Sequence, residues 1–182
     1  MRIARALLVP GFALTLAGAA TAQQRAADAM PESYRQVQLS QLELQRRSLL
    51  AMADSMPERL YRDKVTPVQR DFAQQIQHAA GSVPFVASMV MGLPAAQLPD
   101  TGSSLNSRAG LRAFVNASYD WATNALRAQT AADRARVVNM FGNQMPAWQV
   151  WEELHQHTFW TAGQIVANFR KNGMAPPGFG FF

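Results

Sequence analysis

An all-α fold, a four-helix bundle behind an N-terminal signal peptide, is what this sequence of 182 residues predicts. Three observations predict it. Apolar residues recur at helical steps in four long segments; no stretch shows the alternation of a half-buried strand; and Pro-, Gly- and Ser-rich stretches separate the four. A content of 48% hydrophobic and 16% charged residues suits one globular domain. There is no internal repeat and no second composition, so residues 23–182 read as a single bundle domain.

Residues 1–22 stand apart. Arg2 and Arg5 give a positive start, LLVPGFALTLAGAA is a short apolar run, and Ala20-Thr21-Ala22 is a small-x-small cleavage site, which together read as a secretory signal peptide. A retained anchor fits less well, because the apolar run is short for a bilayer and holds Pro10 and Gly11. Cleavage leaves no stable membrane span, and the expected address is periplasmic or secreted.

Losing Arg2 and Arg5 takes the 17 basic residues to 15 against 12 acidic, a charge of +3. The remaining arginines are scattered or paired, as at Arg46-Arg47, rather than gathered on one face, so nucleic acid is not an expected partner. The absence of cysteine excludes disulfides, thiolate metal sites, covalent haem attachment and a Cys nucleophile. An exported chain of this kind is held by its core, or by its core and a metal.

The first helix is expected from Ser33 to Met56, opened by Pro31-Glu32, carrying Leu39, Leu42, Leu49, Ala53 and Met56 on one face and closed by Pro57. The connector ERLYRDKVTP ends on Thr66-Pro67, which reads as an N-cap and first helical position. The second helix is then expected from Pro67 toward Met91, with Phe72, Ile76, Val83 and Val90 buried and a kink near Gly81-Ser82 imposed by Pro84.

GLPAAQLPDTGSS reads as a long loop, and a third helix is expected from Ser107 to Gln129. Asn116-Ala117-Ser118 matches a glycosylation acceptor, but it falls inside that helix. After a short element from Thr130 to Gly142, a fourth helix opens at Asn143 or Pro146 and runs to Lys171, where Asn172-Gly173 and Pro176-Pro177 stop it. The tail GFGFF reads as a segment folded onto the bundle or as an apolar contact with a partner.

The chemistry concentrates in ELHQHTFWTAGQ, Glu153 to Gln164. Glu153, His157 and Thr161 follow at i, i+4 and i+8, about 6 Å apart per step on one face. His155 is rotated about 200° from His157, so the His-x-His pair cannot converge on a helix; it falls instead with Trp148, Trp151 and Phe159. His78, on the second helix, shares a face with Phe85 and Met89. One histidine per helix is by itself no metal signature.

Ser48 to Ser82 and His157 to Gly178 resemble the DinB/YfiT-like superfamily. The shared pattern is a histidine late in the second helix, then a distant His-x-x-x-His running into Gly-Gln, an Arg-x-x-Gly turn and Pro-Pro. His78 and His157 match the first two histidines, and Gly163-Gln164, Arg170, Gly173 and Pro176-Pro177 match the rest. Thr161 stands where the last histidine belongs.

The resemblance implies a four-helix bundle, often a homodimer, in which three histidines hold a divalent metal. Characterised relatives act as thiol-dependent transferases or isomerases. In this chain the implied metal set is His78 and His157, with Thr161 in the third place or Glu153 supplying a carboxylate. The fitting cofactor is a divalent transition metal such as Zn, Ni or Fe.

Two readings follow. The protein is either a divalent-metal-dependent transferase or hydrolase with a degenerate histidine site, acting on a small-molecule ligand, or a metal-free bundle that binds or supports something else. Glu153 better suits a solvated position beside Glu152, since nothing in the sequence demands a third ligand. Gln164 equally suits a packing role, and Arg170 and Lys171 complement the helix C-terminal dipole.

Overall fold

The computed structural model describes residues 30–178. The expected signal peptide and the tail phenylalanines Phe179, Phe181 and Phe182 lie outside the described residues. Four long helices form the body: α1 (Glu32–Ser55), α2 (Phe72–Met91), α4 (Arg108–Ala128) and α6 (Ala147–Lys171). Two short helices, α3 (Thr101–Ser104) and α5 (Ala131–Ala135), lie in the connections.

Cross-helix pairs fix the topology. Gln38 meets Trp148 and Glu152 while Gln45 meets His155, so α1 and α6 run parallel. Arg35 meets Arg127 while Arg46 meets Asn116 and Asp120, so α1 and α4 run antiparallel. Phe72 packs on Phe169 while His78 packs on His157, so α2 runs against α6. The order is up, down, down, up, and the two parallel neighbours α2 and α4 require one long crossover, residues 92–107.

The core lies where α2 meets α4 and α6, and it is filled by Phe72, Ile76, Phe114, Leu126, Ile165 and Phe169. Gly81 admits the Phe114 ring: a Cβ there would stand 3.1 Å from it. The glycine is a packing device at the place where the sequence suggested a kink, and α2 continues through Pro84 to Met91.

Local caps explain the boundaries. Ser107 opens α4 by accepting the Gly110 N–H. Gly173, at φ +66°, closes α6 with its N–H on Arg170 and the Met174 N–H on Phe169, a Schellman arrangement.

The start of α2 differs from the expectation at Thr66-Pro67. Asp71 is the N-cap, in a reciprocal box with Gln74, and Arg62 approaches its carboxylate at 3.1 Å. Before it the backbone doubles back, with the Phe72 and Ala73 N–H groups donating to Asp63 and Tyr61. Those non-local bonds occupy the first-turn donors and leave Thr66 in a turn.

A second difference is a hairpin, β1 (Val137–Met140) and β2 (Asn143–Pro146), antiparallel with Met140 opposite Asn143. Its two-residue turn puts Phe141 at φ 52° and Gly142 at φ 96°, the primed geometry such hairpins favour. Four residues a side are too few for alternation to show.

Candidate functional site

Antiparallel packing of α2 and α6 sets three pairs in register. Phe72 meets Phe169, with ring centroids 5.8 Å apart; Gln75 Nε2 donates to Gln164 Oε1 at 3.0 Å; and the His78 and His157 rings lie edge to face with centroids 5.0 Å apart. The two histidines that the sequence places on separate helices therefore do converge. His155 does not join them: its Nδ1 pairs with Gln45 of α1 at 2.9 Å and its ring lies 4.9 Å from Phe159.

Both paired imidazoles titrate below the ordinary histidine range. Burial is the first cause for each, the Arg70 guanidinium the second, and for His78 the His157 ring adds to them. They are accordingly neutral at pH 7, the form in which imidazole ligates metals. His157 Nδ1 is buried and has no hydrogen-bond partner. Ser82 Oγ lies 3.4 Å from His78 Nδ1 but donates its stronger bond to the His78 carbonyl, at 2.7 Å.

The third ligand is where the chain falls short. Among the described residues no three His, Asp or Glu side chains converge as a metal-holding group. Glu153 lies with the hairpin: its Oε1 is 3.4 Å from Gln149 Nε2, and it lines a hollow with Met140, Phe141 and Asn143. Among the described residues it forms no three-residue metal-holding group with the pair. Thr161 is buried one turn beyond His157.

Tested on this donor set, a divalent ion finds two neutral imidazoles, one with an orphaned buried nitrogen, but no carboxylate, and a fixed positive charge nearby. The pair fits a transition metal as two ligands. It does not make the three-protein-ligand set of catalytic zinc.

Two residues of the site carry no motif. Gln75, three positions before His78, is buried with its Oε1 unpartnered. Helical spacing alone could have put it on the histidine face. Arg70 lines a cleft of about 570 Å³ together with His78, Gln74, Gln77, Ser82, Phe85 and Phe114, and with Leu98 and Thr101 of the crossover.

A helical bundle with one histidine from each of two antiparallel helices meeting beside an open cleft is the class these residues define. No family model and no curated protein matches the sequence. Among solved structures the chain is similar to the crystal structure of a DinB-like protein from Bacillus cereus ATCC 10987, at 20% identity and a TM-score of 0.59, over 78% of this chain and 94% of that one. At that identity the likeness carries the fold: the chain has a DinB-like bundle, as the resemblance in sequence implied.

Proposed function

We propose that this DinB-like bundle is an exported protein that holds a divalent transition metal weakly through His78 and His157 and receives a small-molecule ligand in the adjoining cleft, as a transferase or hydrolase with a degenerate site. The observation that carries the reading is the neutral imidazole pair with His157 Nδ1 buried and unpartnered. When bound, such an ion supplies a Lewis acid. His78 and His157 hold it, Gln75 and Gln164 brace the helices on one side of the pair, and Thr161 fills the third position with a hydroxyl, a poor donor.

A second reading, a metal-free binding protein, is favoured by one feature, the Arg70 charge, which opposes a cation at the imidazoles. Long-range proton–nitrogen NMR spectra of the three histidines, recorded as zinc is added, separate the two. Coordination predicts that the ring nitrogens of His78 and His157 shift together while those of His155 stay in place. Unchanged spectra for His78 and His157 at millimolar zinc would leave the metal-free reading.

A further inference from the structure

The cleft beside His78 holds one cation and no acid. Its charged lining residue is Arg70, and its polar lining is otherwise Gln74, Gln77, His78, Ser82 and Thr101. The nearest carboxylate in sequence, Asp71, is already engaged: it caps α2 through the Gln74 N–H at 2.8 Å and meets Arg62 at 3.1 Å. Among the described residues no hydrogen bond or ion pair holds the exposed Arg70 side chain.

A guanidinium left without an anion beside a cleft is free to receive a carboxylate, whose geometry its planar fork matches. The apolar part of the lining is Phe85, Leu98 and Phe114. Phe85 is 66% exposed, an unusual position for a large aromatic ring, and Leu98 and Phe114 lie around the same space. The crossover is tied down over this space by Gln77, whose Nε2 donates to the Thr101 carbonyl and to Ser104 Oγ, each at 2.9 Å.

We infer that the cleft binds a small carboxylate with an apolar body, the carboxylate on Arg70 and the body against Phe85, Leu98 and Phe114. A phosphate monoester fits less well, since a dianion calls for more than the one guanidinium present. About 570 Å³ is within the range of small-molecule sites. The inference rests on the reading above that this cleft takes a small-molecule ligand, and it does not require the metal.

The test uses the whole mature protein, freed of metal by chelator, with phenylacetate, phenylacetamide and inorganic phosphate as probes in calorimetric titrations. Phenylacetate is expected to bind at least about tenfold more tightly than the amide, a difference of about 1.4 kcal/mol, and more tightly than phosphate. Arg70→Gln should remove that preference with helix content unchanged, and Phe85→Ser should weaken phenylacetate and phenylacetamide alike.

Equal binding of acid and amide, a stronger response to phosphate, or a preference that survives Arg70→Gln would overturn the inference. A zinc titration on the same preparation keeps the two readings apart. Protein that takes zinc and ignores phenylacetate contradicts the carboxylate cleft alone, and protein that prefers phenylacetate but takes no zinc supports the cleft and contradicts the metal site.

Discussion

His157 stands edge to face against His78, ring planes at 79° and centroids 5.0 Å apart, a contact between the two stretches of sequence that resemble the DinB/YfiT-like pattern. It exists because α2 and α6 run antiparallel with Phe72 on Phe169 and Gln75 on Gln164.

The buried chain from Tyr119 to His155 has a fixed direction. Tyr119 donates its hydroxyl to Gln45 Oε1 at 3.2 Å, which leaves the Gln45 amide nitrogen to donate to His155 Nδ1. Burial pushes the Tyr119 phenol up, so it remains a donor at any ordinary pH. Tyr119→Phe strands Gln45 Oε1 and is expected to cost about 1–3 kcal/mol, read as a lower urea midpoint. An unchanged midpoint would show that the amide finds another donor.

Two helix glycines should respond in opposite senses. At Gly163 a new Cβ meets nothing within 4 Å, so Gly163→Ala should stabilise by about 0.5–1 kcal/mol through lost unfolded-state freedom. At Gly81 the Phe114 ring is in the way, and Gly81→Val should destabilise by about 1–3 kcal/mol. Thermal denaturation of the two variants checks both signs.

Asp63 ties the ends of α2 and α6 together. Its carboxyl is held below the ordinary range first by the hydrogen bond from Lys171 Nζ, at 2.7 Å, and then by that from Asn172, at 2.9 Å. The unfolded chain then takes up this proton more readily than the folded one. The stabilisation is therefore present above the unfolded value of about 3.9 and lost as pH falls through the folded value. Asp63→Asn should lower the urea midpoint at pH 7 and have a smaller effect at pH 2.5. An equal effect at both would contradict the assignment.

Processing follows from residues outside the described part of the chain. The exported protein is expected to begin at Gln23, because Ala20 and Ala22 suit the signal peptidase. Intact-mass measurement of exported material that retains residues 1–22 would contradict it.

What could be read ahead of the structure was mostly local. Ser107, and Asn172 with Gly173, mark helix ends by their own backbone chemistry, and both stood where expected. The start of α2 was expected at Thr66-Pro67 and lies at Asp71 instead, because it is fixed by backbone bonds to Asp63 and Tyr61 that no window of sequence contains.

The site shows the same division. His78 and His157 were identifiable through a pattern, whereas Arg70 and Gln75 belong to none and acquire a role only when the cleft forms. The spacing of Glu153 to His157 is correct along the helix, but it does not reveal that Glu153 lines a hollow with residues of the hairpin.

The measurement that bears most directly on the central claim is a zinc titration of wild type beside Thr161→His and His78→Ala. If the pair is a two-imidazole metal site, wild type binds one zinc weakly and His78→Ala loses it. Thr161→His, which sets a second imidazole one turn from His157, should tighten binding by at least about tenfold, about 1.4 kcal/mol. Wild type that takes no zinc, together with a Thr161→His variant that gains none, would contradict the account and leave His78 and His157 as packing residues.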